Sequence, residues 1–128
     1  MRLVTIAVAA ALAFASAAPA VADELSDAKA FIEAAGLSDK ADLLLWCGAA
    51  FTISSSMTDD AAMKKQADDL ANTLFNKATV LIQAEGVKDE DLKTFGTDYA
   101  LVAKSELVDK LADPEHTQEE CTTAASEA

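Results

Sequence analysis

Chain breakers, basic clusters, histidine and aromatic residues are all scarce in this sequence. Beyond residue 22, Gly occurs only at positions 36, 48, 86 and 96 and Pro only at 114. No stretch alternates apolar and polar residues. Sheet architectures need period-two patterning bounded by turn residues, so they are excluded. The densest basic pair, Lys64-Lys65, sits among acids. A surface able to release counterions from nucleic acid is therefore missing, as is one suited to anionic membranes. The single histidine, His116, is the only base a Ser-His-acid triad could use. No Gly-x-Ser-x-Gly elbow, Cys-x-x-Cys, CxxCH, phosphate loop or Walker motif is present. With no constellation of catalytic groups, no catalytic residue, cofactor or metal is assigned and the chain reads as a non-enzyme.

What is present begins with residues 1–22. Met1-Arg2 give a positive start, Leu3 to Phe14 form an apolar run broken only by Thr5, and Ala20-Val21-Ala22 stand directly before Asp23-Glu24. That order predicts a secretory signal peptide cut between Ala22 and Asp23, with Ala18-Pro19-Ala20 as the nearest competing site. Residues 23–128 then form one domain, periplasmic or secreted. Of the ten Lys and Arg, Arg2 alone lies in the leader, leaving nine against 22 Asp or Glu, a formal charge of −13. Asp23 stands where a bacterial lipoprotein would carry Cys. The best remaining apolar stretch, Leu43 to Ile53, is about half the length of a spanning helix, so stable insertion of the mature chain is not expected.

Ala, Leu, Lys, Glu and Gln favour helix, and the spacing predicts an all-α, compact up-and-down bundle of four to five helices. The first covers about Ser26 to Ala35, with Ala30, Phe31 and Ala34 inward and Gly36 ending it. Ser38 caps the second, whose buried face carries Leu43, Trp46, Cys47, Ala50, Ile53 and Met57, widened by Leu44 and Phe51. Thr58 caps the third, which runs to Glu85 with Met63, Ala67, Leu70, Leu74, Ala78, Leu81 and Ile82 inward. Asp89-Glu90-Asp91 open the fourth, in which Leu92, Phe95, Tyr99, Val102 and Ala103 lead on to Leu107, Val108 and Leu111. Gly96 inside it suggests a kink or a close helix contact. Asp113-Pro114 stop it. Thr117 and Glu120 form a capping box for a short last helix, with Cys121 and Ala125 inward.

Two cysteines in a small exported chain read as one disulfide, Cys47–Cys121, tying the second helix to the last. Zinc normally takes four ligands, and two Cys with His116 fall short of that unless a carboxylate joins. His116, Glu120 and Cys121 are set aside as a metal set, because Thr117 as cap leaves His116 outside the helix, a solvated loop residue. The acid clusters at 59–60, 68–69 and 89–91 lack the order of a calcium loop; the first and third complement helix dipoles. Trp46-Cys47-Gly48 reads as a packed helix crossing beside the disulfide, with a ligand pocket as the other possibility.

Trp-Cys-Gly-Ala-Ala-Phe at 46–51, with Glu-Glu-Cys at 119–121, resembles small uncharacterised secreted helical proteins of Gram-negative bacteria with one Cys pair. The resemblance implies an exported helical domain and brings no functional residues. The layout is also similar to that of periplasmic acid-stress chaperones. The expected function is contact with another protein, such as an envelope protein. The alternatives are an acid-stress chaperone, whose 22 carboxylates would reverse the chain's charge on protonation, and a small-ligand carrier or enzyme.

Overall fold

The computed structural model describes residues 23–127, all of whose regular structure is helical. The leader, Ala22 included, lies outside the described residues. Five helices follow: α1 (23–35), α2 (Asp39–Met57), α3 (Ala61–Ala84), α4 (Asp89–Leu107) and α5 (Gln118–Ser126). No helix among the described residues is long and apolar enough to cross a membrane.

α2 is the axis of the molecule. Ser38 caps it as expected, its hydroxyl accepting from Ala41 N–H at 3.2 Å, and Asp39 and Asp42 occupy the first turn. Expected to bury one face, α2 is instead buried all round from Leu44 to Phe51. A helix apolar on every side is stable only when surrounded, and α3, α4 and α5 each pack on it. At Gly48 a Cβ would sit 2.9 Å from the Phe75 ring, so the missing side chain lets α3 close on α2 there. Met57, assigned to the buried face, is 66% exposed at the last position of α2.

The cap of α3 differs from expectation. Asp60, not Thr58, is the N-cap: its Oδ1 accepts from Ala62 N–H at 2.9 Å and Met63 N–H at 3.0 Å. Thr58 Oγ1 accepts from Asp60 N–H two residues upstream of the helix. Both residue types can cap, and the one adjoining the first turn takes the role. The inner stripe is Ala67, Ala71, Leu74, Ala78 and Ile82, with Leu70 and Leu81 half-buried and Met63 exposed. Three alanines at this seam allow close approach to α2.

In α4 Phe95, Tyr99, Val102 and Ala103 are buried as expected, joined by Ser105 and Glu106. Phe95 meets Phe31 of α1, ring centroids 4.9 Å apart. Ala28 is the buried residue of α1, whereas Ala30 and Ala34, expected inward, face solvent. Gly96 has nothing within 4 Å of a would-be Cβ and so marks no close contact. α4 stops at Leu107, short of Val108 and Leu111, both exposed. The chain wraps there through Leu111 N–H to Ser105 O at 2.9 Å, with Lys110 at φ 57°. The apolar spacing continues past a point where the backbone has already turned.

α5 carries the expected capping box, Thr117 and Glu120 each bonding the other's backbone N–H at 3.1 Å. Cys121 and Ala124 are buried; Ala125, expected inward, is only half-buried. The Cys47–Cys121 disulfide joins α2 to α5, with the Cα atoms 5.2 Å apart. At the other end of α5, Lys77 Nζ of α3 bonds the carbonyls of Ala124, Ala125 and Glu127. A cation there satisfies carbonyls that a helix leaves without partners.

Candidate functional site

Because α5 is short and held by a single covalent tie, it does not cover the flank of α2 completely. A half-enclosed groove of about 680 Å³ remains between α2, α3, α5 and the connection that precedes α5. Trp46, Ala50 and Phe51 form its floor, Met63, Ala67 and Leu70 one wall, and Cys121 and Thr122 the other. Pro114 and His116 close one end. The lining is mostly apolar, with Gln66, Gln118 and Thr117 at its margin. Trp46-Cys47-Gly48 therefore does both things considered for it: Gly48 and Cys47 pack the core, while Trp46 is part of the groove.

Behind the groove lies a polar cluster that the sequence did not disclose. Asp42 in the first turn of α2 and Tyr99 and Glu106 on α4 converge on Glu115 and His116 of the connection. Tyr99 O–H donates to Asp42 Oδ1 at 2.6 Å. His116 Nε2 lies 3.3 Å from Asp42 Oδ2 and 3.7 Å from Glu115 Oε1, and its Nδ1 lies 3.5 Å from Glu120 Oε2. Glu106 is 5% exposed. Its Oε1 accepts from Trp46 Nε1–H at 3.1 Å and from Glu115 N–H at 2.7 Å. These two bonds satisfy a carboxylate that burial would otherwise make costly, and they hold the connection against α2 and α4.

His116 is in the connection, as expected, but it is not solvated: its side chain is 17% exposed and stands edge-on to Trp46 at 5.5 Å. Cys121, once considered beside it as a ligand, is committed to the disulfide. Among the described residues His116 has no hydrogen bond with a serine. Ser54 shares the groove with His116, yet both ring nitrogens of His116 already face carboxylates.

The electrostatics follow from crowding. Burial pushes Asp42 up, but hydrogen bonds with Glu115, Tyr99 and His116 outweigh it and hold the carboxyl below the usual range. Its neighbour takes the proton instead: the hydrogen bond with Asp42, then burial and the charges of Asp42 and Glu106, push Glu115 up to about 8. Two carboxylates in contact cannot both ionise freely. Burial, and then the bond to Asp42, raise Tyr99. Bonding to Thr117 lowers Glu120.

One member was within reach of the sequence. Glu106 falls on the Phe95–Tyr99–Val102 stripe, and an acid on a buried stripe is a marked position. Asp42 looks from its position like an ordinary first-turn acid that complements a helix dipole, and Glu115 in the irregular connection has no periodic signal. Of the acid clusters, Asp60 caps α3 and Asp69 pairs with Lys65 at 2.9 Å on an exposed face.

No protein-family model, curated protein or solved structure matches this chain.

Proposed function

We propose that this is an exported, non-enzymatic helical protein that holds a cationic amphipathic segment of an envelope protein in the groove between α2, α3 and α5. The observation that carries the reading is a mostly apolar, half-enclosed groove of about 680 Å³ on a strongly acidic chain. Its volume falls in the range of binding sites, but its open side suits side chains projecting from a chain segment better than a wholly enclosed small molecule. No acidic side chain is among the lining residues, but exposed acids stand close to them in the chain: Asp59 and Asp60 precede Met63, and Glu119 and Glu120 precede Cys121. A segment with Leu or Phe on one face and Lys or Arg flanking it matches the apolar floor and the negative charge of the chain around it. Met63, largely exposed at the margin, supplies an adaptable contact. Export is supported by the pattern of residues 1–22 and by a disulfide, which persists in oxidising compartments such as the periplasm.

The test uses Trp46, the only tryptophan, as the reporter. A Leu/Lys amphipathic peptide should shift its fluorescence saturably, and a Leu/Glu peptide of the same pattern should not. Met63→Lys, at an exposed position, should fold normally and weaken the Leu/Lys peptide about tenfold or more, which corresponds to ~1.4 kcal/mol. Equal binding of both peptides, no saturable binding, or uptake of a free fatty acid in place of the peptide would overturn the proposal.

A further inference from the structure

The cluster behind the groove brings metal-ligating atoms of three residues together. Asp42, Glu115 and His116 each present one donor atom, all within 4.8 Å of one another. His116 Nε2 stands 3.3 Å from one carboxylate oxygen and 3.7 Å from the other. Ligands about 2.1 Å from a tetrahedral ion are separated by roughly 3.4 Å, so a modest inward adjustment would bring all three onto one centre.

Partners outside this trio already orient it. Tyr99 O–H occupies Asp42 Oδ1 and leaves Oδ2 toward His116. Glu120 Oε2 faces His116 Nδ1, while its Oε1 is held by Thr117 N–H of the capping box. A carboxylate behind the non-ligating nitrogen is the arrangement that fixes ring orientation and strengthens a metal-bound imidazole. Glu106, through its bond to Glu115 N–H, sets Glu115 beside Asp42. Three carboxylates thus crowd one imidazole, and two of them, Asp42 and Glu115, border with Lys29 an adjoining pocket of about 340 Å³. That pocket, bordered by Tyr99 and Asp113, leaves room for water as a further ligand. The mixed nitrogen and oxygen donor set suits a zinc-class ion better than magnesium or calcium, which prefer oxygen alone.

We propose that Asp42, Glu115 and His116 form a binding site for a zinc-class divalent cation, completed by water from the pocket beside Tyr99. The ligands come from α2 and from the connection before α5, so the ion would cross-link the two. Pro114 and His116 end the groove, and the cross-link would fix that end. The site stands independently of what occupies the groove.

Zn²⁺ titrated calorimetrically into untagged, chelator-treated protein should bind at one equivalent and raise the Tm, whereas Mg²⁺ should do neither. Glu115→Gln, at a partly exposed side chain, and His116→Ala should each weaken Zn²⁺ at least tenfold. Glu120→Gln, whose amide oxygen can still accept from Thr117 N–H but which removes the carboxylate facing the imidazole's far nitrogen, should weaken it by about 10-fold. Tm values of the metal-free variants report folding separately. With Co²⁺ as probe, the intense visible bands of a four-coordinate site should appear in the wild type and vanish in Glu115→Gln. No Zn²⁺ binding would leave the cluster as an ion-pair network of His116 with carboxylates. Binding unchanged in Glu115→Gln and His116→Ala would put the metal elsewhere. Either result overturns the proposal.

Discussion

Removing the disulfide by Cys47→Ala with Cys121→Ala should both destabilise the protein and release one particular helix. The bond joins residues 74 apart. Closing a loop of that size lowers the entropy of the unfolded chain by about 15 cal/mol/K, or ~4.5 kcal/mol at 25 °C. With an unfolding entropy near 2.1 cal/mol/K per residue over about 105 residues, the Tm should fall by roughly 15–20 °C. Alanine is the right replacement, because both cysteines are fully buried and serine would add two hydroxyls needing partners. The loss should not be uniform. α5 has nine residues, too few to persist alone, and buries only Cys121 and Ala124. Its other fastenings are the Lys77 bonds at its carboxyl end. Native-state hydrogen exchange of the double variant should therefore show α5 opening before α2 and α3, and limited proteolysis should cut within 118–126 first. A Tm within about 5 °C of wild type, or α5 amides as protected as those of α2, would refute the reasoning.

Leu74 is fully buried at the α2–α3 seam, so Leu74→Ala should cost about 2–5 kcal/mol in urea unfolding. Asp60→Ala should lower stability by about 1 kcal/mol through loss of two N–H bonds, whereas Thr58→Ala should stay within ~0.5 kcal/mol; the same denaturation series compares them. Two bonds from Ser38 hold Glu85 below the usual carboxylate range. A depressed folded value means that this contact stabilises above the unfolded pKa and is lost as pH falls through the folded one. NMR titration should place the Glu85 midpoint below that of an ordinary glutamate, and Ser38→Ala should move it back up. Intact mass of the exported protein should correspond to a chain beginning at Asp23; a product beginning at Val21 would move the cut to Ala20.

Much of the fold was legible along the chain. Helical spacing, Ser38, Gly36 and the Thr117–Glu120 box specify where most helices start and stop, because caps and periodicity are local. Two cysteines in a small chain allow only one intramolecular pairing. The misreadings share a cause. Thr58 and Asp60 are equally competent caps, and only the path of the chain into α3 chooses between them. Val108 and Leu111 keep the apolar period of α4 after the backbone has left it. Met57 and Met63 fit their stripes but lie at helix ends and are exposed, since periodicity assigns a face without saying how far along the helix that face is covered.

Local sequence alone thus determined the helical class, the element order and the covalent tie. The tertiary structure decided everything that depends on distant residues meeting. It wrapped α2 on all sides, left the groove beside the short α5, and brought Asp42 next to Glu115 and His116 more than 70 positions away. Spacing repeats report only neighbours on one helix, whereas a site assembled from α2, α4 and an irregular connection depends on how those elements pack.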